Sequence, residues 1–137
     1  MKLWQQQTLF ALNVSKLIQY INSREFSVTF GDAYRAPEMA AIYAKEGKGI
    51  INSLHCKRLA IDLNLFDLNG DYFSDQKYYE QFGVYWESLH DNNRWGGNFT
   101  KHGGKINDGN HFEMREDLDG YKIALGDFTT GKRDFPL

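Results

Sequence analysis

A single cysteine, Cys56, stands among 137 residues. One thiol cannot close an intrachain disulfide, which excludes both a disulfide scaffold and a cysteine-rich structural zinc site. No apolar run approaches the length of a bilayer span. The N-terminus, Met1-Lys2-Leu3-Trp4 followed by three glutamines, lacks the uninterrupted apolar stretch of a secretory signal. The sequence therefore predicts no membrane insertion and a product that is cytoplasmic as synthesised. An excess of one charge sign is missing too: the formal net charge is -2 with a pI near 6.1, which disfavours nucleic acid as a partner. Linkers, repeats and low-complexity tracts are absent, so the chain reads as one domain, 1–137, acting as a monomer.

What is present is ordered by hydrophobic period. Phe10, Val14, Leu17, Ile18 and Ile21 recur at three- and four-residue steps and predict a helix over about 6–22. Phe26 to Phe30 alternates as a strand, and Pro37 opens a second helix that runs to Lys45 and stops at Gly47. From Arg58 the alternation returns. Leu59, Ile61, Leu63 and Leu65 share one face, which leaves Asp62 on the other. Asn69-Gly70 predicts a hairpin into Tyr72-Phe73. Asp67, Asn69 and Asp71 mimic the start of a calcium loop, yet Tyr72 and Tyr78 stand where its Gly and Glu belong, so the segment reads as a turn. A third helix is expected after Ser74 or Asp75, with Tyr79, Phe82, Trp86 and Leu89 on one face, ending near His90, which would complement the helix dipole. The remainder is glycine-rich, with short apolar pieces at Trp95, Phe99 and Phe112. The expected fold class is α+β: a small, mainly antiparallel sheet carrying the site, with helices packed on its other side.

Three segments far apart in sequence carry the chemistry: Ser53 to Asp62, Asp108 to Glu113, and Tyr34 to Glu38. A catalytic zinc needs three protein ligands and an open fourth position, and His55, Asp62 and His111 can supply the three. Two neutral imidazoles and one carboxylate leave a Zn²⁺ ion net positive, enough to bring the pKa of water toward ~7. Asp108, three residues before His111 across the flexible Gly109-Asn110, is the candidate general base, and Glu113 is the nearest alternative acid. Arg35 is the candidate oxyanion stabiliser, its alternative being a surface ion pair with Asp32 or Glu38. Ser53 is a candidate substrate contact, or else orients the His55 loop. His102 competes as a ligand from a glycine-rich loop, where a solvated role is the simpler reading. Cys56 reads as a packing residue, Trp86 as core, and Trp95 as either core or cleft lining.

These segments resemble the zinc D-alanyl-D-alanine carboxypeptidase family, the LAS metallopeptidases, which includes D-Ala-D-Ala dipeptidases and phage L-alanyl-D-glutamate endopeptidases. The family pattern is Ser-x-His, an Asp seven residues after that His, and an acid three residues before a second His. Ser53, His55, Asp62, Asp108 and His111 match it. Tyr34-Arg35-Ala36-Pro37-Glu38 is similar to the setting of the family arginine, and Trp95-Gly96-Gly97 to a stretch before the second His. Many members have Glu where this chain has Asp108, and Asp resembles the phage endopeptidase branch. The resemblance covers about 26–113 and leaves 114–137 as an extension of unknown role. It implies a zinc peptidase of the peptidoglycan stem peptide, a phage or prophage endolysin cutting L-Ala-D-Glu and delivered to the wall by another protein. The rivals are a D-Ala-D-Ala carboxypeptidase or dipeptidase, and a non-catalytic phage structural or wall-binding module.

Overall fold

The computed structural model describes residues 2–48, 53–101, 104, 105 and 108–117. The first helix, α1, spans Leu3–Ser23 and buries Phe10, Val14, Leu17 and Ile21 of the predicted stripe together with Leu9, while Ile18 is half-buried at its edge. It extends three residues further toward the N-terminus than the apolar pattern indicated, through a turn in which Gln5 reaches back to the Lys2 N–H. Strand β1, Phe26–Phe30, follows. Helix α2, Pro37–Lys45, ends as Gly47 predicts: Gly47 takes φ +74°, and the Lys48 N–H donates to the Tyr43 carbonyl at 2.8 Å, the return bond of a left-handed helix stop.

Strand β2, Ala60–Asp67, turns at Gly70 (φ +83°) into β3, Tyr72–Phe73, with Leu65 opposite Phe73. The Asp67 carboxylate accepts the Asn69 and Asp71 N–H groups, both at 2.9 Å, so this acidic side chain shapes the turn. The third helix begins later than expected. Asp75 caps a 3-10 turn at Gln76–Tyr78, and α3 proper is Glu80–Leu89. His90 also differs from expectation. It has extended backbone, and its Nδ1 accepts the Asn92 N–H, so it caps the following turn instead of complementing the helix end.

Strands β4 (Asn93–Trp95) and β7 (His111–Met114) complete a five-stranded sheet of order β1-β2-β7-β4, with β3 beside β2. The short strands β5 (Thr100–Lys101) and β6 (Gly104–Lys105) form a separate ribbon. Every pairing among the described residues is antiparallel. Leu59, Ile61, Leu63 and Leu65 join Phe112, Met114 and Trp95 in one core with α1 and α3, where Phe82 and Trp86 are fully buried. The α+β arrangement is as expected, with apolar burial on the helix side as the main stabilising term. The opposite face of β2 and β7 is left for polar residues. No helix among the described residues is long and apolar enough to cross a membrane.

Candidate metal centre

Alternation along the two central strands assembles this face. In β2, Ala60, Asp62 and Asn64 point away from the core; in β7, His111 and Glu113 do, while Phe112 and Met114 enter it. The register sets Asp62 directly opposite His111, Ala60 opposite Glu113, and Arg94 of β4 opposite Glu113. Asp62 and His111, forty-nine residues apart, thereby become cross-strand neighbours.

His55 arrives from outside the sheet. The Ser53 hydroxyl accepts the His55 N–H at 3.2 Å and caps a 3-10 turn at Leu54–Lys57, which Arg58 closes in left-handed conformation (φ 56°). This local geometry delivers the buried His55 ring to Asp62. His55 Nε2 lies 3.4 Å and His111 Nδ1 3.1 Å from the same Asp62 Oδ1. The donor atoms of all three residues lie within 4.8 Å of one another, and the two imidazole rings meet edge to face.

Charge follows from this crowding. Burial works against the Asp62 carboxylate, but hydrogen bonds from His111 and His55 outweigh it and hold its pKa at about 2. Burial likewise opposes a charged His111, yet Asp62 on Nδ1 and Glu113 on Nε2 outweigh burial and push it up to about 9. His55 Nδ1 is buried with no hydrogen-bond partner among the described residues. Two buried imidazoles converging on one ionised carboxylate form a nitrogen, nitrogen, oxygen donor set of the kind zinc takes, so the residues fit the ion.

Asp108 borders the cluster, its Oδ2 3.9 Å from His111 Nδ1 and its side chain 39% exposed. Burial, the largest influence, raises its pKa above the ordinary value, against the lowering pull of His111. A carboxylate shifted this way is a better proton acceptor. Its backbone carbonyl accepts the His111 N–H at 3.1 Å, and Trp95 Nε1 donates to the Gly109 carbonyl at 2.6 Å, so Trp95 is a buried support under this turn and not an open cleft wall.

The predicted residues thus fall into two groups. His55, Asp62 and His111 converge with Asp108 at their edge, whereas Ser53 and Arg35 reach the cluster through the His55 backbone. The Arg35 N–H donates to the His55 carbonyl, while its guanidinium pairs with Asp32 (Nη2 to Oδ2, 2.7 Å) and lies over Tyr43. Glu113 is not a free acid. Its Oε1 sits 2.8 Å from His111 Nε2, and Arg94 holds its other oxygen, an arrangement that the His111-x-Glu113 alternation foreshadows. His102 and residues 118–137 lie outside the described residues.

No protein-family model matches the sequence, and no curated protein does. The structure does resemble a solved one in fold. The crystal structure of the Serratia marcescens L-Ala D-Glu endopeptidase ChiX superposes with a TM-score of 0.52 at 22% identity, over 66% of this chain and 66% of that one. The likeness extends the α+β reading to a solved fold, and the chain spans just under two thirds of that enzyme.

Proposed function

We propose that this protein is a zinc-dependent peptidase of the peptidoglycan stem peptide, cutting between L-Ala and D-Glu as a phage or prophage endolysin. The observation that carries the reading is the convergence of His55, Asp62 and His111, with Asp108 beside them, on a fold similar to that of an L-Ala D-Glu endopeptidase. The donor set by itself supports metal-assisted hydrolysis; the likeness in fold supports the substrate class.

When bound by His55 Nε2, an Asp62 oxygen and His111 Nδ1, zinc would supply a Lewis acid and ease the deprotonation of water. The chain's own residues do the rest. Asp108 takes a proton from the attacking water and returns it to the departing amine, its raised pKa suiting both transfers. Arg35 supports the developing oxyanion, a role in which its guanidinium would turn from Asp32 toward the substrate. Ser53 holds the His55 turn and contacts the substrate beside it. Digesting purified stem peptides and weighing the products tests this. Free L-Ala and a fragment beginning with D-Glu are expected; release of D-Ala alone would instead establish the carboxypeptidase rival, an intact stem peptide with free D-Ala-D-Ala cut the dipeptidase, and neither substrate cut a non-catalytic module.

A further inference from the structure

Glu113 and Arg94 have no part in the chemistry above, yet they are built onto it. His111 has two ring nitrogens: Nδ1 faces Asp62, and Nε2 faces the buried Glu113 carboxylate at 2.8 Å. A carboxylate oxygen can only accept, so Nε2 donates its hydrogen to Glu113, and when Nδ1 gives up its own hydrogen to bind a cation the lone pair is at Nδ1. The Glu113 carboxylate is aimed by Arg94, whose Nε donates to Oε2 at 3.0 Å and whose Nη2 reaches the same oxygen. The cross-strand register places Arg94 directly opposite Glu113, so the pair is set by the sheet itself. Trp86 Nε1 donates to the Glu113 backbone carbonyl at 2.9 Å and fixes the strand from the core side. The other ligand has no such support: His55 Nδ1 is without a partner among the described residues.

We infer that Glu113, oriented by Arg94, is a positioning residue that locks the ring of His111 in the tautomer presenting Nδ1 to the metal. The two strands β4 and β7 thus form an arginine, carboxylate, imidazole relay ending at the ion. This rests on the reading of His111 as a metal ligand. A plain cross-strand ion pair would stabilise the sheet without touching the metal, which separates the two roles experimentally.

The test is zinc affinity, measured by competition with a chromophoric chelator, on the parent chain and on Glu113→Ala, Glu113→Gln and Arg94→Ala. Loss of an outer carboxylate of this kind costs roughly 10- to 100-fold in metal affinity. Glu113→Ala is expected in that range, Glu113→Gln in between because its carbonyl still accepts from Nε2, and Arg94→Ala weakened in the same direction. Cobalt(II) substituted for zinc should show ligand-field bands displaced in the Glu113 variants. If the parent binds zinc and all three variants bind it equally well, melting lower at most, the inference is overturned while the proposed function stands. If the parent binds no zinc, the metal-ligand reading fails first and takes the inference with it. Should Glu113→Ala not fold, Glu113→Gln and the half-exposed Arg94→Ala decide the matter alone.

Discussion

Gly96 is a place where one methyl group reaches the candidate site without altering a titratable side chain. A Cβ built there would lie 2.1 Å from the Asp108 carbonyl oxygen and 2.9 Å from His111 Cβ. Real contacts of this type do not fall below 3.0 Å, so the Asp108 backbone must retreat by about 1 Å. That carbonyl accepts the His111 N–H, and the move therefore shifts the proposed base and a proposed ligand together. Misplacement by ~1 Å can cost on the order of 10²-fold in rate. Gly96→Ala is expected to lose about that much in kcat/KM on stem peptides. Gly70→Ala is the control: its φ of +83° disfavours alanine by roughly 1–2 kcal/mol, but nothing lies within 4 Å of the added Cβ, so activity should hold while the melting temperature falls. A folded Gly96→Ala with parental kinetics would refute the proposed coupling between the Asp108 turn and catalysis.

Asp108→Ala should lower hydrolysis by roughly 10²- to 10⁴-fold while leaving zinc content nearly unchanged, whereas His111→Ala should lose both; metal content and rate measured in parallel separate base from ligand. Arg35→Lys should keep fold and zinc but reduce turnover, because an ammonium cannot reproduce the forked donors of a guanidinium, and steady-state kinetics matching the parent would remove Arg35 from the mechanism. Phe82→Ala, at a fully buried position in edge contact with Tyr20 and Phe26, should cost about 3–5 kcal/mol in urea unfolding, with a much smaller loss showing that α3 is not part of the core.

The sequence made local features legible and long-range ones only in part. The α1 stripe, the Gly47 stop and the Asn69-Gly70 hairpin depend on neighbours a few residues apart, and each is where the pattern placed it. Alternation from Leu59 to Leu65 identified the core face of β2 and put Asp62 on the other. Alternation does not fix register, however, so it could not show that Asp62 faces His111 or that Arg94 faces Glu113. Those pairings follow from sheet assembly across dozens of residues. The buried Gln6 is equally hidden, since its burial depends on bonds to the Arg115 carbonyl and the Asp117 N–H, 109 and 111 residues further along. The delayed start of α3 shows a competing local bond at work: Asp75 offers its carboxylate to the Lys77 N–H and diverts the first turn to 3-10 geometry. Ser53 illustrates a choice between two roles that spacing alone left open, and its hydroxyl is engaged by the His55 N–H.

Elemental analysis of an active preparation shows whether His55, Asp62 and His111 hold a metal on which peptide hydrolysis depends. Close to one zinc per chain is expected, removed by a strong chelator together with activity and restored with it on adding zinc back. An active preparation holding no transition metal would contradict it.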